Sequence, residues 1–275
     1  MMTAATTSMV RGPAGNIALH TWGSSAAPTV LLAHSILASS MMWERQGALL
    51  AQHGFRAIAM DTRGHGGSDA PAPPYSMDEL AADTVAVMDA LQIGRAHYIG
   101  LSLGGMSGFG LGINHASRLL SMVLCDARAD APAAFAAVWN DRIAAAQSQG
   151  CQALAAATAE RWFGAEFLAR NPAIARRFHD TISATSSNGL VGCAQAIQGL
   201  DYLKDVQRIT VPLTMIVGAK DVPLPDAMAD LQTRIAGARL EVIPGAGHLP
   251  NIDQPEAFDA ALLRHFAPFV PSAQP

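Results

Sequence analysis

With 275 residues, half of them hydrophobic and only 15% charged, the chain is long enough for one large α/β domain with a sizeable buried core. A formal net charge of −4 and the lack of a basic run argue against nucleic acid as a partner. No apolar stretch reaches the length that spans a bilayer, and MMTAATTSMVRGPAGN at the start has no apolar segment of signal-peptide type.

Along the chain, short β-rich apolar runs alternate with helical patterns. Strands are expected at 17–22 (IALHTW), 29–34 (TVLLAH), 55–61 (FRAIAMD), 96–101 (AHYIGL), 119–125 (LLSMVLC), 213–219 (LTMIVGA) and 240–245 (LEVIPG). A helix over 76–91 is announced by Ser76 three residues before Glu79, the spacing of a capping box. Such alternation predicts an α/β fold with a mostly parallel central sheet flanked by helices. Between about 130 and 208 the rhythm breaks into Ala-rich helical segments with no strand and no flanking polar linker. The expected division is therefore a first part of the core at 1–129, a helical cap at 130–208 lying over the sheet, and a second part of the core at 209–275. Cys125, Cys151 and Cys193 lack metal or redox spacing, which predicts inert buried thiols in a reduced cytoplasm.

Chemistry concentrates at Gly100-Leu101-Ser102-Leu103-Gly104, which follows an expected strand and opens a stretch carrying Gly105, Gly108, Gly110 and Gly112. A helix interior loses about 1 kcal/mol for each Gly in place of Ala, so backbone freedom and close approach must matter more here than local helix stability. In the strand-to-helix context, G-x-S-x-G reads as a nucleophile elbow that exposes the Ser102 hydroxyl. A nucleophilic serine needs a base, and the base an orienting acid, in the chain order serine, acid, histidine. Asp221 follows the strand at 213–219, and His248 lies in the loop after the next strand, both at carboxyl ends where open sheets assemble sites. Asp226, the nearest rival acid, stands where a helix should begin and is expected to cap it. Two backbone donors should hold the oxyanion: Leu103, next after the nucleophile, and Ile36 in the loop HSILASS. His34 is expected to fix that loop, and Asp61, Arg63 and His65 of DTRGHGGSD to brace the floor of the site.

The segments SLGGM, DTRGHGGSDAP, VWNDRI, ERWF, GCAQAIQ and HLPNIDQPEAF resemble the 3-oxoadipate enol-lactonases of the α/β-hydrolase family, over most of the chain including the insertion. The resemblance implies an α/β-hydrolase fold and a lactone hydrolase of aromatic catabolism that needs no metal and no cofactor. It also implies a triad of Ser102, Asp221 and His248. Where that family tends to have serine-leucine-glycine, this chain has Ser35-Ile36-Leu37, and near the family's basic residue after the sixth strand stand Arg128 and Asp130. A substrate carboxylate would want a cationic partner, for which Arg128 and Arg142 are candidates, with Trp139 three residues before Arg142 on one helix face. Arg161 and Trp162 form a second such pair. The expected substrate is a small ester or lactone, most specifically an enol-lactone. The same triad also serves broad carboxylesterases and hydrolases of carbon–carbon bonds in ring-cleavage products, and the fold also serves binding or receptor modules; ester turnover with labelling of Ser102 separates these last from an enzyme.

Overall fold

In the computed structural model, which describes residues 5–270, the strand runs fall into one eight-stranded sheet. Residues 1–4, the start of the N-terminal stretch expected to carry no signal-type segment, lie outside the described residues. The strands are β1 (Thr6–Gly12), β2 (Gly15–Trp22), β3 (Thr29–Ala33), β4 (Arg56–Met60), β5 (Ala96–Leu101), β6 (Leu119–Cys125), β7 (Leu213–Gly218) and β8 (Arg239–Ile243). Their order is β1-β2-β4-β3-β5-β6-β7-β8, with antiparallel pairing at β1·β2 and β2·β4 and parallel pairing elsewhere. The central strands β3, β5 and β7 are buried along their whole length, which is why they read as continuous apolar runs rather than alternations. Edge strand β1 is the one the sequence pattern missed. Its residues Thr6–Met9 are exposed, so no buried face imposes a period on them.

Helices α1 (Glu44–Gln52), α2 (Met77–Ala90) and α3 (Leu103–Asn114) connect the first strands, while α9 (Leu224–Arg234), α10 (Pro250–Asp253) and α11 (Pro255–Phe266) follow the last ones. Ser76 caps α2 as its spacing predicts, its hydroxyl accepting from Glu79 N–H while the Glu79 carboxylate accepts from Ser76 N–H. Between β6 and β7 the chain runs through α4 (Ala133–Gln149), α5 (Ala155–Phe163), α6 (Ala165–Arg170), α7 (Pro172–Ala184) and α8 (Ser187–Gln198). No strand interrupts them.

At the beginnings of β5, β6 and β7, the sheet end opposite Ser102, a polar network is buried in the core. The Ser121 hydroxyl lies 2.7 Å from His97 Nδ1 and 2.8 Å from His265 Nε2, and His265 Nδ1 lies 2.9 Å from Thr214 Oγ1. Burial, with Arg95 nearby, pushes His97 down to about 4; burial, with His97 and Arg239, pushes His265 down to about 3. Both values lie below the 6.5 of an unfolded histidine, so the unfolded chain takes up protons first as the pH falls. The stabilisation is complete above pH 6.5 and lost progressively toward pH 4 and 3, at about 1.4 kcal/mol per histidine per pH unit. Urea unfolding should show a markedly lower midpoint at pH 5 than at pH 7, and His265→Gln should narrow that gap. An unchanged gap would place the acid sensitivity elsewhere.

Candidate active site

Ser102 sits in the turn between β5 and α3 with φ 55° and ψ −112°, a conformation that costs a residue bearing a Cβ on the order of 1–2 kcal/mol. The flanking glycines are steric necessities. A Cβ on Gly100 would lie 2.2 Å from the Gly104 carbonyl oxygen, and one on Gly104 would lie 2.4 Å from the Ala33 carbonyl oxygen. Ser102 N–H donates to the Cys125 carbonyl at 2.9 Å and Gly104 N–H to the His34 carbonyl at 3.1 Å, so the turn is pinned to both neighbouring strand ends.

The structure brings Ser102, His248 and Asp221 together. His248 Nε2 is 2.9 Å from Ser102 Oγ, and His248 Nδ1 is 2.6 Å from Asp221 Oδ2, with all three side chains buried. Two features of α5 seat the imidazole: the Trp162 carbonyl accepts from His248 N–H at 3.0 Å, and the Trp162 ring stacks on the imidazole at 6.4 Å and 26°. Burial alone would raise the Asp221 carboxyl, but His248 and then Arg161, whose Nη1 lies 3.6 Å from Asp221 Oδ1, outweigh it and hold the group below the usual carboxylate range. Such a chain can draw a proton from the serine hydroxyl and stabilise the resulting imidazolium. Asp126, Asp221 and His248 also place one potential metal-ligand atom each within 4.8 Å of one another. Both imidazole nitrogens are already engaged by Asp221 and Ser102, so this donor set suits the hydrogen-bonded chain better than an ion.

Beside Ser102, the N–H groups of Leu103 and Ile36 donate to no acceptor among the described residues. Leu103 is the first residue of α3, whose N–H has no intrahelical partner. Ile36 lies in a turn closed by Ala38 N–H to the Ser35 carbonyl at 3.0 Å, with Leu37 at φ 64°. That is the left-handed position of a type II turn, where glycine is unstrained; the chain keeps the turn and places the strain on a buried leucine. The loop is braced by residues of the polar turn after β4. His65 Nε2 accepts from Leu37 N–H at 3.0 Å, and His34 Nε2 accepts from Thr62 N–H at 2.9 Å. Asp61 takes Ser40 N–H at 2.7 Å and Gly67 N–H at 2.8 Å. Burial keeps both histidines neutral, His65 at about 3 with His34 adding repulsion, which suits acceptors rather than bases. Arg63 is held by both oxygens of Asp83 at 2.7 Å, a partner that sequence reasoning did not single out because nothing in spacing links the two. Asp226 corrects an expectation: Pro223 occupies the capping position of α9, and Asp226 lies within the first turn, where its charge meets the helix dipole.

Ser102 and His248 open onto a cavity of about 90 Å³ bordered by Ile36, Trp139, Trp162 and three cations, Arg128, Arg142 and Arg161. The arginines differ in what they already hold. Arg128 is paired with Asp130 at 2.9 Å, and Arg161 approaches Asp221. Arg142 lies over the Trp139 ring at 5.0 Å and has no carboxylate partner among the described residues. Its burial, and then repulsion from Arg161, lower its proton affinity, although a guanidinium stays charged.

A family model described as the alpha/beta hydrolase fold matches residues 28–255. The chain is 33% identical over 245 residues to 3-oxoadipate enol-lactonase 2 of Acinetobacter baylyi, a match covering 88% of this chain and 90% of that protein. With 3-oxoadipate enol-lactonase 1 of the same organism it shares 31% identity, over 92% of each chain. The crystal structure of the enol-lactonase from Burkholderia xenovorans superposes with a TM-score of 0.90 at 32% identity, covering 94% of this chain and 100% of that one. Among the described residues no helix is long and apolar enough to cross a membrane.

Proposed function

The chain belongs to the alpha/beta-hydrolase family, and on that premise we propose that it is a serine hydrolase of small lactones and esters, acting best on an enol-lactone that carries a free carboxylate. The observation that carries this reading is one continuous arrangement: a Ser102–His248–Asp221 hydrogen-bond chain facing a cavity that also presents the uncommitted cation of Arg142. The named relatives are enol-lactonases, which supports the lactone as the substrate class.

Ser102 Oγ attacks the lactone carbonyl as its proton passes to His248 Nε2, and the carbonyl oxygen becomes an oxyanion. The N–H groups of Ile36 and Leu103 receive that charge, and donors of this kind are worth roughly 3–4 kcal/mol each when aimed at the developing oxyanion. Collapse breaks the ring C–O bond and expels an enolate, which takes the proton from His248 and tautomerises to a ketone. Water then gives a proton to His248 and attacks the acyl carbon; the intermediate releases the acid and returns the proton to Ser102. Asp221 holds the imidazole tautomer and offsets the imidazolium charge throughout.

In the same reading the segment 130–208 is a cap, and Trp139 of α4 limits the acyl pocket. Trp139→Ala should raise kcat/KM for p-nitrophenyl esters of longer acyl chains by about tenfold relative to the acetate, since added methylenes then find space. A variant that loses stability with an unchanged chain-length profile would make Trp139 core rather than pocket wall. Assay of the purified protein on lactones and p-nitrophenyl esters tests the proposal as a whole; absence of turnover on every one would leave a binding module.

A further inference from the structure

Behind the triad acid lies a second carboxyl group. Asp126 follows β6 directly, its side chain fully buried and its backbone at φ 44°, the left-handed region that a Cβ-bearing residue adopts only when its surroundings compel it. Its N–H donates to the Ile216 carbonyl at 2.9 Å and its Oδ1 accepts from Gly218 N–H at 2.9 Å, so two bonds to β7 fix the carboxyl in place. Oδ2 is buried with no partner as long as the group is ionised. Asp221 has the complementary deficit. Among the described residues only His248 donates a hydrogen bond to its carboxylate, with the Arg161 guanidinium at 3.6 Å, whereas a buried carboxylate is best held by two or three donors.

We propose that Asp126 stays protonated and donates its hydrogen bond to Asp221, acting as a positioning residue that holds the triad acid ionised and in place. One proton thus resolves both deficits. The groups facing Asp126 agree with this assignment: Asp221, Asp253 and the Cys125 thiol offer it no positive charge, and His248 turns its Nδ1 to Asp221 instead. One carboxylate oxygen of each acid lies within 4.8 Å of the other, and burial first, then the Asp221 charge, raise the Asp126 carboxyl well above the usual range. The two acids titrate as a pair that holds a single proton at neutral pH. When the imidazolium forms, that proton must remain on Asp126, so that the charge facing His248 is undiminished.

The inference rests on Asp221 being the acid of the triad, and its test separates the two. Infrared difference spectra between wild type and Asp126→Asn at pH 7.5 (a value near neutrality, about one unit above a free histidine) should contain the C=O stretch of a protonated carboxylic acid. That readout is independent of activity. Asp126→Asn keeps a donor toward Asp221 and an acceptor for Gly218 N–H, so its kcat on an activated ester should stay within about threefold of wild type. Asp126→Ala removes the donor and should lower kcat by about tenfold with KM unchanged, and move the acid limb of the kcat profile to higher pH. The proposal is overturned by the absence of the infrared band, by Asp126→Asn as impaired as Asp126→Ala, or by Asp126→Ala with the wild-type kcat and pH profile. If Asp126→Ala does not fold, the band and Asp126→Asn decide.

Discussion

Ser102→Ala lowers kcat on any ester or lactone substrate by roughly 10⁴–10⁶-fold with little change in KM, because the serine and its base act as a unit while the oxyanion donors and pocket remain. The folded state should hardly notice. Alanine keeps a Cβ at φ 55°, so the strain of the elbow persists, and the Oγ it removes takes with it one bond, to His248. Ser102→Gly is the contrasting case: equally inactive, but about 1 kcal/mol more stable, since glycine adopts that region without penalty. Turnover and urea midpoints of the two variants measure both halves. Residual activity above about a tenth of wild type in Ser102→Ala, far more than the uncatalysed background allows, would remove Ser102 from the reaction.

Arg142→Met raises KM for a carboxylate-bearing lactone by about 10–100-fold and leaves its methyl ester nearly unaffected. A charge-assisted hydrogen bond in a partly dehydrated pocket is worth roughly 1.5–3 kcal/mol, which is one to two decades in affinity. The choice of Arg142 over its neighbours follows from what each already binds. Arg128 is spent on Asp130, which also removes the repulsion an acid at that position would exert on an anionic substrate. Arg161 lies beside Asp221, so replacing it should disturb that carboxylate and depress kcat for acidic and neutral substrates alike. Arg142 is the cation with room for a new partner, and methionine retains much of its contact with the Trp139 ring. Equal effects on the acid and its ester would transfer recognition of the carboxylate away from Arg142.

The strands β3 to β7 were readable because sheet burial demands continuous apolar runs, and the capped start of α2 because Ser76 and Glu79 have a fixed spacing. Ser102, Asp221 and His248 were readable as candidates since each follows a strand end, where the topology alone brings them close. What escaped depends on three-dimensional partners without a periodic trace. The exposed strand β1 has no buried face to pattern it. Asp126 carries no motif that marks it; its orphaned Oδ2 and the neighbouring Asp221 give it a context only in the fold. The three pocket arginines could be gathered from sequence but not distinguished, because pairing with Asp130 or Asp221 is a matter of distance alone.

The most direct test of the central claim is the ratio of kcat/KM for a carboxylate-bearing enol-lactone to that for its methyl ester, measured on the wild-type enzyme at moderate salt. A ratio of about 10 or more is expected, carried mainly by KM and reduced toward unity in Arg142→Met. A ratio near or below unity in the wild type, with Ser102 still required, would contradict it and leave a serine esterase of neutral substrates.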